Sequence, residues 1–318
     1  MAPIRRATVF GGTGFIGRYI VKRLAQRGVV LTVVGRHAGR GNYLQPMGDV
    51  GQIVLINGDI GDAELVASTI EGADLVVNLV GILAESGRQR FDALMHQGAA
   101  RLAQQAATAG ARQFVHFSAI GADAASPSRY ARSKAAGEAA VRAAFPSAII
   151  LRPSIVFGPE DQFFNRFAEM TRFSPFLPLI GDGKTRFQPV YVGDVADATM
   201  AALDHPEAAG QIYELGGPRV YSFAELMHIM LREIDRPDFR LVGISFPLAS
   251  LQAAILECLP GKLLTRDQVL MLKRDNVVSP GARTFADLGI TPTAPEVILQ
   301  SYLERFRTGG RFAPRHPA

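Results

Sequence analysis

The chain is predicted to be an α/β protein, a doubly wound parallel sheet with a smaller, mainly helical C-terminal substrate or partner domain. Three observations lead there. A glycine-rich turn, Gly11-Gly12-Thr13-Gly14-Phe15-Ile16-Gly17, separates a first apolar run from a helical pattern. Short apolar runs at residues 7–10, 29–34, 53–56, 75–80, 114–118 and 148–151 alternate with helical stretches, as right-handed βαβ units require. Finally, 318 residues with 48% hydrophobic and 20% charged content suffice for one large or two unequal domains.

A glycine-rich turn lets backbone approach a pyrophosphate, and the helix behind it offers free N–H groups and the positive end of its dipole. This predicts a Rossmann-type dinucleotide cradle contacted by Gly11, Thr13, Gly14, Phe15, Ile16 and Gly17. The bland alternative is a tight strand-to-helix turn. The spacing GxxGxxG is neither a Walker loop nor GxGxxG. It resembles the short-chain dehydrogenase/reductase superfamily, in its extended and atypical branches.

The second strand ends at Val34-Gly35-Arg36. A carboxylate there would accept hydrogen bonds from a ribose 2′-OH, whereas a basic residue accommodates a 2′-phosphate. Arg36 therefore favours NADP(H) over NAD(H). Arg18 is a second guanidinium near the same place, or else a solvated helix charge. After the third run, Gly58-Asp59-Ile60 is an adenine site by the resemblance, with Asp59 on the exocyclic amine and Ile60 over the ring; Asp59 equally suits a turn ahead of the next helix. The fourth run ends Asn78-Leu79-Val80-Gly81, which places Val80 and Gly81 beside the ribose and nicotinamide.

Tyr130 and Lys134 stand at i and i+4 on a helix beginning near Arg129. In the resembling superfamily the tyrosine gives a proton to a carbonyl oxygen, and the lysine binds the nicotinamide ribose and lowers the phenol pKa. An unperturbed phenol near pKa ~10 is a poor acid-base catalyst at neutral pH, so such lowering is needed. Ser118, at the end of the fifth strand, would polarise the same carbonyl. Lys134 could instead pair with Glu138. Ala119 stands where extended reductases commonly carry a second hydroxyl, which points to reduced substrate chemistry.

The segment from Ser128-Arg129-Tyr130 through Lys134-Ala135-Ala136-Gly137-Glu138, then Ala144-Phe145-Pro146, Pro153-Ser154, Phe157-Gly158, Glu160-Asp161, Gln188-Pro189-Val190-Tyr191-Val192 and Asp194-Val195, is similar to the NADPH-binding accessory subunit family of respiratory complex I and its bacterial relatives. The likeness runs from about residue 5 to 230. It implies a tightly held NADP(H) that need not turn over, with Pro153 among its contacts, and a link to quinone-dependent respiration or quinone biosynthesis.

Beyond Pro153 the pattern breaks into Pro-, Phe- and Gly-rich sequence, then returns to strands at 189–192 and 211–215. Helices are expected at 222–234, 246–259, 266–272 and 295–306, and a frayed tail from Thr308. The domains expected are 1–158 with 188–217 returning to it, and 159–187 with 218–318. The uncharged stretch 241–256 is too short to span a bilayer. Its Leu248, Leu251, Ile255, Leu256 and Leu259 recur at helical spacing, for which core packing is the default and a membrane or partner surface the alternative.

Cys258 is the single cysteine, so no internal disulfide forms, and the six histidines lack paired ligand spacing. The net charge of +5 and pI of about 9.5 lack the aromatic-basic pattern of nucleic-acid recognition, and suit an acidic partner or anionic lipid. No room for a signal peptide precedes the first strand, which points to the cytoplasm, with a peripheral place on the inner membrane open. Three functions stay in view: an NADP(H)-binding subunit or assembly partner in quinone-linked respiration; a free NADPH-dependent reductase or epimerase of a small carbonyl using Ser118, Tyr130 and Lys134; and a redox-sensing switch.

Overall fold

The apolar runs of the first half become strands buried on both faces: Val9, Phe10, Leu31, Val33, Leu75, Val77, Phe114 and Val115 expose no surface. The computed structural model describes residues 3–259, 264–307, 309 and 310. Along the chain the elements are β1 (Arg6–Phe10), α1 (Phe15–Gln26), β2 (Val30–Gly35), β3 (Ile53–Asn57), α2 (Ala63–Ile70), β4 (Leu75–Asn78), α3 (Gly98–Thr108), β5 (Gln113–Phe117), α4 (Arg129–Ala144) and β6 (Ile149–Pro153). Then come β7 (Val156–Phe157), α5 (Phe164–Met170), β8 (Leu177–Ile180), β9 (Arg186–Phe187), β10 (Val190–Tyr191), α6 (Val192–Asp204) and β11 (Ile212–Leu215). The last are β12 (Tyr221–Ser222), α7 (Phe223–Glu233), β13 (Leu241–Ile244), α8 (Phe246–Leu256), α9 (Arg266–Met271) and α10 (Pro295–Leu303).

The main sheet has seven parallel strands in the order β11-β6-β5-β4-β1-β2-β3. Strand order reverses between β1 and β4, where Phe10 faces Val34 on one side and Asn78 on the other. A crevice outside the carboxyl ends of the strands is expected at such a switch point. Two stretches that carry no strong period shape it. Ala38–Met47 winds as a 3-10 helix after β2, and Asp92–Gln97 is a π-helical turn leading into α3.

The chain forms two units. The first comprises Met1–Pro153, Gly193–Leu215 and Pro280–Ile290, and the last piece is tied beside β11 by Glu214 N donating to Arg283 O at 2.8 Å. The second comprises Ser154–Val192, Gly216–Ser279 and Thr291–Ala318. Its core is aromatic: Phe157, Phe164, Phe187 and Phe223 are buried, and Phe163 meets Phe164 edge-on at 5.0 Å. Asp161 pins that core to α10. Its Oδ1 accepts from the Phe163 and Asn165 amides, and its Oδ2 from Gly158 N and the Tyr302 hydroxyl.

Three expectations are corrected here. The strand at 189–192 is only Val190–Tyr191, it pairs with β7 rather than with the main sheet, and Val192 opens α6, whose small buried Ala196, Ala198 and Ala202 carried no strand or strong helix signal. The helix expected at 246–259 is α8, which ends at Leu256, and β13 just ahead of it, for which no strand was expected, pairs with β8. On α8 core packing does not hold for the leucine stripe: Leu248, Leu251 and Ile255 are 48%, 65% and 64% exposed, and Leu259 beyond the helix 49%. The buried side is Ala249 and Ala253, packed with Val269 of α9, because the small residues let the helices approach closely. The tail expected to fray from Thr308 lies outside the described residues except for 309 and 310.

Candidate functional site: a dinucleotide cradle

The loop between β1 and α1 is shaped by close backbone approach. A Cβ on Gly17 would stand 2.5 Å from Gly11 O and 2.6 Å from Gly12 Cα, so only glycine lets the helix begin against the turn. Gly17 is therefore a packing residue, buried between α1 and the loop, rather than a lining residue as expected. Gly14 is the N-cap of α1 and carries no capping side chain, leaving the helix N-terminus facing the crevice without an acidic residue in its first turn.

A cavity of about 330 Å³ opens at the switch point. It is lined by Gly11, Thr13 and Gly14 from the loop, Val34, Gly35, Arg36 and His37 at the end of β2, and Arg40 from the 3-10 helix. Gly58, Asp59 and Ile60 follow from β3, and Leu79, Val80, Gly81, Ile82 and Leu94 complete it. Gly11, Thr13, Gly14, Arg36, Asp59, Ile60, Val80 and Gly81 thus share one concavity. Among the described residues its sole lining carboxylate is Asp59, whose Oδ1 accepts from Gly61 N at 2.7 Å. The cavity thus combines glycine backbone, apolar Ile60 and Leu94, and the guanidinium groups of Arg36 and Arg40.

Other expected residues stand elsewhere. Phe15 packs edge-on against Tyr19, and Ile16 lies in the first turn of α1. Arg18 lies over the Tyr43 ring, 4.6 Å from its centroid, and does not line the cavity. Pro153 is the end of β6, where its carbonyl accepts from Ile120 N at 3.1 Å. That bond and Ser118 N to Leu151 O, 2.8 Å, clip the loop after β5 to the next strand.

Ser128 caps α4, its hydroxyl accepting from Ala131 N, and so sets Tyr130 and Lys134 in the first two turns. Lys134 is buried. Its Nζ donates to the Phe117 carbonyl at 2.9 Å, lies 5.9 Å from the Tyr130 ring centroid, and would stand 3.4 Å from a Cβ on Gly81. Lysine, tyrosine and the end of β4 are thereby brought together. Ser118 is also buried, and neither its Oγ nor His116 Nε2 has a hydrogen-bond partner among the described residues.

The electrostatics differ from the expectation. Burial pushes the Tyr130 phenol up to about 12. Burial also brings Lys134 down to about 8, against the opposing pull of Glu138. Glu138 does not pair with Lys134. Arg152 of β6 holds it through Nε and Nη2 at 2.8 and 2.6 Å and reaches Glu214 of β11 through Nη1 at 3.2 Å.

Sequence reasoning passed over His37, Arg40, Ile82 and Leu94. Arg40 follows Arg36 at a helical-turn spacing, a signal that was available; Leu94 lies in the π-helical turn, whose register no regular period reveals.

A cradle at the reversal of a parallel sheet, with a Tyr–Lys pair on the helix after β5, defines a nucleotide-binding reductase-like class. The model of the NAD dependent epimerase/dehydratase family matches residues 7–216, and the chain belongs to that family. It is 38% identical over 319 residues to NADH dehydrogenase [ubiquinone] 1 alpha subcomplex subunit 9, mitochondrial, of Arabidopsis thaliana, covering 96% of this chain and 78% of that one. It is 32% identical over 228 residues to a ceramide reductase of Caulobacter vibrioides, covering 70% and 69%. Among solved structures, DesIV (dTDP-glucose 4,6-dehydratase) from Streptomyces venezuelae, with NAD and TYD bound, shares the fold at a TM-score of 0.70 and 24% identity, over 94% of this chain and 95% of that one. Membership of that family supports a nicotinamide dinucleotide as the cofactor.

Proposed function

We propose that this chain is an NADP(H)-holding protein of respiratory complex I or of quinone metabolism, in which the dinucleotide is structural or slowly turned over. The observation that carries the reading is the likeness to the NADH dehydrogenase [ubiquinone] subunit over nearly the whole chain. The site supports it from the chemical side. Arg36, His37 and Arg40 favour a 2′-phosphate, while a phenol pushed up to about 12 is a sluggish proton donor and acceptor. Gly11, Thr13 and Gly14 would hold the pyrophosphate, Asp59 and Ile60 the adenine, and Lys134 the nicotinamide ribose.

A cytoplasmic protein held peripherally on the inner membrane fits the exposed face of α8. No helix among the described residues is long and apolar enough to cross a membrane. Leu248, Leu251, Ile255 and Leu259 would enter the interface of an anionic leaflet, with Lys273, which lies over the Phe246 ring of α8, near the headgroups.

One observation favours a second reading. Ser118, Tyr130 and Lys134 are all present, and a relative at 32% identity is a ceramide reductase. On that reading a bound NADPH would supply hydride chemistry, and Tyr130 would give the proton to the oxygen of the carbonyl being reduced. Purified protein loaded with NADPH separates the two. Slow or no oxidation by quinones and by small or lipid ketones supports the first; rapid multiple turnover that Y130F abolishes establishes the second.

A further inference from the structure

Between the end of β4 and the π-helical turn runs a segment outside the main sheet, residues 83–91, whose two ends belong to the cavity: Ile82 and Leu94 both line it. It leaves the wall beside Gly81, where a Cβ would stand 3.4 Å from Lys134 Nζ, and returns at Phe91, whose ring meets Tyr130 edge-on at 5.8 Å. The segment therefore borders the end of the crevice that carries the Tyr–Lys pair.

Two features fasten it in place. Ser86 N donates to Gln89 O at 3.0 Å and Gln89 N to Ser86 O at 2.9 Å, a tight turn that Gly87 makes at a φ of 54°. The other fastening converges on one carboxylate. Glu85 Oε1 accepts from Phe91 N at 2.9 Å and from Arg129 Nη2 at 3.3 Å, and its Oε2 meets Arg129 Nη1 at 2.9 Å and Arg90 Nη1 at 3.6 Å. Arg129 is the first residue of α4, so this two-pronged pair ties the segment to the helix that bears Tyr130 and Lys134.

The pair is lopsided in the way a latch requires. The Glu85 side chain is 12% exposed, and those of Arg129 and Arg90 are 62% exposed. A carboxylate kept that far from water is stable only while its cations stay beside it, whereas an exposed guanidinium loses little on letting go. Neutralising Arg129 therefore favours an open form in which Glu85, and the segment with it, turns out to solvent.

We propose that residues 83–91 are a strap, latched by Glu85 on Arg129, that closes the nicotinamide end of the cradle and sets how long a bound dinucleotide is kept. This rests on the NADP(H) reading and names the device that would make that cofactor a resident one. The consequence is asymmetric. A strap at the Tyr–Lys end governs the escape of a whole dinucleotide, and leaves alone a ligand that fills only the adenosine end.

The test uses the full chain loaded with NADPH and mixed with an excess of a soluble NADPH-consuming reductase and its substrate, so that the loss of nicotinamide absorbance reads release. R129Q and E85Q are each expected to release NADPH about tenfold faster than the parent, the size of one charge-assisted contact. Their affinity for 2′,5′-ADP, which lacks the nicotinamide half, is expected to stay at the parent's value in calorimetry, and R129K to release at a rate between R129Q and the parent. A parent that takes up no NADPH, or loses it at once, sinks the NADP(H) reading itself. A parent that retains NADPH while either R129Q or E85Q releases it at the parent's rate overturns the strap, as do variants that lose 2′,5′-ADP to the same extent, which would mark a general loosening of the cradle.

Discussion

Arg152 grips Glu138 with two parallel hydrogen bonds, Nε to Oε1 at 2.8 Å and Nη2 to Oε2 at 2.6 Å, one turn of α4 beyond Lys134. Glu138 and Glu214 are nearly fully buried, and Arg152 is the cation between them. Removing one partner of such a pair leaves charge in a poor solvent. Arg152→Met is expected to lower the stability of the fold by about 3–5 kcal/mol in urea denaturation, and Glu214→Gln by less. An Arg152→Met protein as stable as the parent would mean that the network holds nothing in place.

His116 makes stability depend on pH. Its ring is 1% exposed, and burial with the nearby Lys134 pushes it down to about 3. Asn78 Oδ1 accepts from Val80 N, which turns Asn78 Nδ2 toward His116 Nδ1 at 3.1 Å and puts the ring proton on Nε2. Below pH ~6.5 the unfolded chain takes up a proton that the folded chain refuses until about 3, so stability is full above that window and falls through it. The loss from this group is roughly 2 kcal/mol by pH 5. In denaturation between pH 7 and 5, His116→Gln is expected to show a shallower acid slope than the parent; parallel slopes would contradict the assignment.

The exposed stripe of α8 gives a surface prediction. Leu251→Glu with Ile255→Glu should abolish sedimentation with vesicles containing anionic lipid and leave the melting temperature unchanged, because both side chains are about two-thirds exposed. A parent protein that never sediments with such vesicles ends the membrane reading.

Arg36→Asp tests the cofactor choice. A carboxylate at the end of β2 repels a 2′-phosphate and accepts from a 2′-OH, so NADPH binding should weaken by well over tenfold and NADH binding should hold or improve. Equal weakening of both would remove Arg36 from the phosphate site.

Much of this was legible in the residues. Buried parallel strands announce themselves as apolar runs, so the first six strands were placed to within a residue or two. The cradle was legible because Gly11 to Gly17 falls between a strand and a helix. Three things were hidden. The 38–47 segment, with glycines at 39 and 41 and Pro46, has no period to read, and it concealed Arg40. On α8, apolar on every side, periodicity cannot say which face turns inward, and two alanines rather than the leucines do. The pKa of Tyr130 depends on how deeply the fold buries it, which i,i+4 spacing with a lysine does not disclose.

The central claim is that the cradle holds a 2′-phosphorylated dinucleotide firmly. Protein purified without added nucleotide, then denatured and its supernatant resolved by chromatography, tests this most directly. The account expects NADP(H) at near one equivalent per chain, in clear excess over NAD(H). A predominance of NAD(H), or an empty protein that shows no saturable binding of NADPH, would contradict it.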